Sequence, residues 1–207
     1  MIFFVYLNDK RKIVYFQPKI MKDNITVALI YDFDGTLAPG NMQEYDFIPA
    51  VGKSNMEFWH EANTLAEEQD ADQVLTYMAR MIQAAKSKGL SLRREAFRES
   101  GRNVKFYRGV EEWFGRINQY AEERGVHILH YVNSSGLKEI IEGTSIAHEF
   151  KNIYACSFLY NVDGIAYWPA VAVNYTNKTF NVDHSYKQET KIILYYLTNL
   201  LIVISTQ

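Results

Sequence analysis

"ALIYDFDGTLAPG", residues 28–40, decides the fold. An unbroken apolar run ends in two aspartates one residue apart, Asp32 and Asp34, with Gly35, Pro39 and Gly40 close behind. Taken back to Ile25, the segment 25–33 reads as a strand buried on both faces, because it is short, apolar, rich in branched residues and closed by turn formers. Residues i and i+2 of a strand point to the same side. Asp32 and Asp34 therefore converge on one site at the strand's carboxyl end, where open α/β sheets bind ligands. A buried strand has no use for two carboxylates. The chemistry that wants them holds a hard cation and leaves one carboxylate to attack or to move a proton.

Outward from this strand, residues 44–102 turn helical. Val74, Leu75, Met78, Met81, Ile82 and Ala85 recur at the spacing of one helix face, and Gly89 is the expected stop. A further helix is expected around "SLRREAFRES", with Ser91 as its cap. In "GVEEWFGRINQYAEERG" the stripe is Val110, Trp113, Phe114, Ile117 and Tyr120, ended by Gly125. It runs into "VHILHYVNSSG", a second apolar strand closed by small polar residues. Helix then strand is the alternation of a parallel α/β sheet. "LKEIIEGTSIAHEF" reads as a short helical stretch, and "FLYNVDGIAYWPAVAV" as a β-hairpin turning at Asp163-Gly164.

The 207 residues are 48% hydrophobic and carry a formal net charge of -2, enough for one domain with a modest insertion. Near-neutral charge leaves no footprint for nucleic acid or an anionic membrane. The single cysteine, Cys156, excludes an internal disulfide, suits a cytoplasmic setting and reads as a small buried apolar residue. "MIFFVYL" is too short and its charges fall on the wrong side for a secretory signal. Residues 192–205, "IILYYLTNLLIVIS", fall short of the roughly 20 needed to span a bilayer and read as a buried helix–strand pair. His127, His130 and His148 lack metal-ligand spacing and read as structural or exposed.

"DFDGT" after an apolar strand resembles the first motif of the haloacid dehalogenase-like (HAD) hydrolases, mostly Mg²⁺-dependent phosphatases. The resemblance implies a Rossmann-like parallel α/β core, residues 25–43 and 103–207, with a helical cap of C1 type at 44–102 and an N-terminal extension at 1–24. It implies Asp32 as nucleophile and Asp34 as general acid and base, both at a Mg²⁺ site that Asp34 also contacts through its carbonyl. The second motif, a Ser or Thr hydrogen-bonding the phosphoryl group, matches Ser134, with Ser135 as the alternative register. The third, a neutralising lysine, matches Lys178 in "NYTNKT", preferred to Lys187. Phosphate contacts are implied for Gly35, Thr36, Ser135 and Gly136. The cap and hairpin look most like the phosphoserine phosphatase side of the superfamily, with a small phosphorylated molecule as substrate. In the cap, Glu57, Trp59, Arg98 and Arg102 could reach substrate, but packing or solvated roles are the expectation for each.

The fourth motif, one or two acids completing the metal site, has no match. Only Asp183 and Glu189 follow Lys178, and neither follows a suitable strand. The last strand candidate is "LLIVIS". The expectation is an altered form of a longer phosphatase, extended at the front, cut or frame-shifted after about residue 180, its core incomplete at the carboxyl end. A catalytically inactive binding domain is the alternative.

Overall fold

The computed structural model describes residues 3–7, 10–14, 25–174, 176–177 and 192–197. Strands β1 (Phe3–Leu7) and β2 (Lys10–Val14) pair antiparallel as a two-stranded sheet of their own. The principal sheet centres on β3 (Ile25–Tyr31), which lies parallel to β4 (Val126–Leu137) on one side and to β7 (Ile192–Leu197) on the other. Tyr31 is in register with both Val132 and Leu197, so the backbone leading to Asp32 is hydrogen-bonded on both edges. Next to β4 runs β5 (Asn152–Tyr160), parallel to it, and β6 (Ala166–Val171) returns antiparallel on β5. The order is β6-β5-β4-β3-β7. The hairpin at Asp163-Gly164 and the parallel alternation are as expected from sequence. Residues 192–197 differ, being strand rather than helix. Their branched and aromatic residues suit a position beside β3, and two-sided pairing of the central strand decides in favour of sheet.

Four helices stand between β3 and α5 (Val110–Glu122): α1 (Phe47–Ala50), α2 (Asn55–Glu68), α3 (Gln73–Lys88) and α4 (Arg94–Gly101). α2 opens with a capping box, in which the Ser54 side chain accepts from the Glu57 N–H and the Glu57 carboxylate accepts from the Ser54 N–H. Asp72 caps α3 singly, its Oδ1 accepting from the Leu75 N–H, and Gly89 closes the helix in the left-handed conformation. On α3 the buried face holds Tyr77, Met78, Met81, Ile82 and Ala85, with Val74 half-buried, while Leu75 is 43% exposed. The stripe is therefore i, i+3, i+4, i+7, i+8, i+11 from Val74, and Tyr77 takes the place expected for Leu75. Ser91 is not the cap of α4. That position is Arg93, whose N–H donates to Ser91 Oγ.

After β4, α6 (Lys138–Glu142) packs against α4 across a seam of glycines. A Cβ added at Gly101 would fall 2.1 Å from the Ile140 carbonyl oxygen, and one at Gly143 1.8 Å from that of Arg98. Backbones can meet this closely only where side chains are absent. Arg98 reinforces the rim of the seam by donating from Nε and Nη2 to Glu142 Oε2.

Beneath β3 the core is aromatic. Trp113 Nε1–H donates to the Tyr31 hydroxyl, which meets His130 Nδ1 at 2.9 Å, while His130 Nε2 meets Asn118 Oδ1 at 2.9 Å. The chain closes if His130 is neutral with its proton on Nε2. Burial, and secondarily His127, lowers the His130 pKa to about 4. His130 is structural, as expected, and His127 and His148 are exposed. Among the described residues no helix is long and apolar enough to cross a membrane.

Candidate active site

The two aspartates occupy different settings. Asp32 follows directly on β3 and is half-buried, and its Oδ1 accepts from the Phe33 N–H. The chain then winds one turn around the Phe33 carbonyl, which accepts from the amides of Thr36, Leu37 and Ala38. Gly35 enters this turn at φ +72°, a conformation that favours glycine. The winding swings Asp34 over to β4. There its Oδ1 accepts from the Met42 N–H at 2.9 Å, and its Oδ2 lies 2.9 Å from where a Cβ on Gly136 would stand. Gly136 is thus the gap through which the Asp34 loop reaches the end of β4. The same virtual Cβ would strike Met42 Cε at 2.0 Å.

At that end β4 loses its register with β5 between Asn133 and Leu137, the span that holds Ser134, Ser135 and Gly136. Ser134 is fully buried, and its Oγ accepts from the Gly136 N–H at 3.0 Å. That contact sets the oxygen and leaves the hydroxyl proton to donate elsewhere. Ser135 is half-buried, and its carbonyl accepts from the Tyr77 hydroxyl and from Cys156 Sγ. Cys156 is buried, as its composition reading expected.

A cavity of about 180 Å³ opens between this end of the sheet and the helices above. Asp34 and Ser135 form its floor; Trp59 of α2 and Tyr77 of α3 form its walls. The structure brings Asp34, Ser135 and Gly136 together. Asp32, Ser134 and Thr36 lie outside the lining, and Thr36 is buried at 1% exposure. Lys178, Lys187, Asp183 and Glu189 fall outside the described residues. Of the four cap residues singled out, Trp59 alone reaches the cavity. Glu57 is engaged with Ser54, Arg98 with Glu142, and Arg102 is exposed at the end of α4.

Sequence reasoning missed the polar lining, Asn41, Gln43, Asn63 and Gln73. These residues belong to no motif. The available signal was helical: Trp59 and Asn63 are i, i+4 on α2, and Tyr77 follows Val74 by three on α3. Among the described residues no three His, Cys, Asp or Glu side chains group as a metal site. Two carboxylates leave the same turn, a hard-oxygen donor set of the number that Mg²⁺ usually takes from a protein.

No family's sequence model matches the chain. It is 33% identical over 150 residues to an uncharacterized protein of Borreliella burgdorferi, an alignment covering 67% of this chain and 51% of that protein. The chain therefore spans about half the length of this curated relative. Among solved structures, a HAD family hydrolase from Salmonella enterica serovar Typhi matches at TM-score 0.58 and 14% identity, over 82% of this chain and 56% of that one. A substrate-bound phosphoserine phosphatase matches at TM-score 0.56 and 13% identity, over 84% and 79%. A phosphoserine phosphohydrolase-like protein from Francisella tularensis matches at 0.51 and 18%, over 81% and 76%. At such identities the likeness speaks to architecture, and the architecture is the haloacid dehalogenase-like hydrolase fold in its phosphoserine phosphatase-like form.

Proposed function

We propose that the chain is a phosphomonoester hydrolase that works through a phosphorylated Asp32. The observation that carries this reading is the placement of Asp32 and Asp34 at the carboxyl end of the central strand, with Asp34 and Ser135 on the floor of a cavity. The core is assigned to 25–43 and 103–207 and the cap to 44–102. An Asp32 carboxylate oxygen attacks phosphorus, the ester P–O bond breaks, and the leaving oxygen takes its proton from Asp34. Water then attacks the phosphorus of the aspartyl phosphate and gives a proton to Asp34. The P–O bond to Asp32 breaks, releasing inorganic phosphate and restoring the carboxylate. The Ser134 hydroxyl, oriented by the Gly136 amide, donates to a phosphoryl oxygen, and Ser135 closes the floor beside it.

Lys178, which follows the described turn at Asn174–Asn177, is assigned to balance the charge of Asp32 and the phosphoryl group. That turn reaches α3, since Asn174 Nδ2 donates to Asp72 Oδ2. Asp32 and Asp34 would hold Mg²⁺, which when bound supplies a Lewis acid that offsets charge on the phosphoryl oxygens. The setting assigned is the cytoplasm.

The test is turnover of p-nitrophenyl phosphate with and without Mg²⁺, alongside calorimetric titration of Mg²⁺. Metal-dependent turnover that Asp32→Asn abolishes supports the reading. Turnover that survives Asp32→Asn refutes the mechanism. Absence of both turnover and metal binding points to the alternative, an inactive domain of the same fold.

A further inference from the structure

The cavity beside Asp34 has a lining that constrains what enters it. Four of the side chains are carboxamides, Asn41, Gln43, Asn63 and Gln73, and two are aromatic, Trp59 and Tyr77. Asp34 is the one charged group, and among the described residues no Lys, Arg or His lines it. Gln43 is 1% exposed, and its Oε1 has no hydrogen-bond partner among the described residues. A buried acceptor left in that condition is costly, and a hydroxyl that reaches it relieves the cost. The polar tips of the aromatics are already engaged. Trp59 Nε1–H donates to Glu44 Oε1, which also accepts from Asn41 Nδ2, and the Tyr77 hydroxyl donates to the Ser135 carbonyl.

We infer that this cavity receives the leaving group of the phosphoester, and that the group is an uncharged, hydroxyl-bearing alcohol such as a small polyol. The inference rests on the phosphatase reading above and names its substrate class. A hydroxyl can donate to Gln43 Oε1 and accept from a neighbouring amide N–H at the same time. A carboxylate in the same place would find no Lys, Arg or His partner among the described lining residues, and its desolvation would go uncompensated. An amino-acid leaving group such as serine is therefore disfavoured. The volume, about 180 Å³, is below the roughly 300–1,000 Å³ of sites for drug-sized ligands and suits a few carbons.

The experiment compares kcat/KM for glycerol 3-phosphate, phosphoserine and p-nitrophenyl phosphate in the presence of Mg²⁺. A preference for glycerol 3-phosphate over phosphoserine of about ten-fold or more is expected, the value of one well-placed polar contact. Phosphoserine turned over equally well or better, with the aryl phosphate also hydrolysed, overturns this inference alone. No turnover of any of the three overturns the phosphatase reading beneath it. Binding gives an independent readout: calorimetry on the Asp32→Asn protein should rank the two natural phosphates in the same order, and the reverse order overturns the inference. Gln73→Arg sits on the exposed rim, where the fold tolerates it, and should shift the ratio toward phosphoserine by about ten-fold. An unchanged ratio removes the cavity from substrate recognition.

Discussion

The helical insert meets the core in two opposite ways. Along α4 and α6 the contact admits no additional carbon, since a Cβ at Gly143 would stand 1.8 Å from a carbonyl oxygen. Under α2 and α3 the same insert stands off from Asp34 and Ser135 across about 180 Å³ of open, amide-lined space. One contact is backbone against backbone with no room for chemistry; the other is side chains around a gap. On the proposed phosphatase reading, the difference separates two functions within one insert, anchorage at the seam and selection at the mouth. Substitutions at the seam should change stability and leave substrate ratios alone. Substitutions at the mouth should do the reverse.

The largest effect belongs to the end of β3, below the mouth and outside its lining. Asp32→Asn should reduce turnover of p-nitrophenyl phosphate by at least about 10³-fold, or about 4 kcal/mol of transition-state stabilisation, with the thermal midpoint within a few degrees of wild type. A parallel loss of midpoint and activity would break the division. Next comes the seam. Gly143→Ala should destabilise by roughly 3 kcal/mol in denaturant unfolding, since neither backbone can give way without moving α4. Its ratio of glycerol 3-phosphate to phosphoserine turnover should match wild type at temperatures where it is folded.

A third test concerns the support under both regions. His130 is held neutral, its pKa lowered to about 4, whereas an unfolded chain titrates near 6.5. Between those values the unfolded chain binds a proton that the folded one does not. The contribution is therefore complete above about pH 6.5 and is lost as pH falls toward 4, by on the order of 3 kcal/mol at most. Unfolding free energies for wild type and His130→Gln should converge across that window, and parallel curves would contradict it. The smallest effect is at the seam's rim. Arg98→Ala should cost below about 1 kcal/mol, because its pair with Glu142 faces solvent. A larger loss would mean that the ion pair, and not the glycine contact, holds α4 in place.

How far the sequence could be read depended on whether a signal was local. The strand read over residues 25–33, the hairpin at Asp163-Gly164 and the stop at Gly89 are written in a few adjacent residues, and all three stand in the structure, the strand ending at Tyr31. Asp32 and Asp34 were legible as a pair, but their settings were not. Asp34 is carried to Gly136 by a turn around the Phe33 carbonyl, and strand periodicity says nothing of that turn. Leu75 read as core because it is apolar; packing selected Tyr77 instead, whose hydroxyl finds the Ser135 carbonyl. Residues 192–197 read as helix because an apolar run is ambiguous alone, and only the open edge of β3 decides it. Gln43 carries no motif, and its meaning comes entirely from what surrounds it.

The lone thiol offers a clock. Cys156 is the chain's one cysteine, and its sulfur is shut beneath the Ser135 carbonyl and the Val173 amide at the base of the site. A thiol reagent can reach it only when the end of β4 or the segment at Val173 parts from it, so the labelling rate measures how often the site breathes open. A ligand that braces Ser135 should slow that rate without touching the sulfur, which makes occupancy readable before any substrate is known.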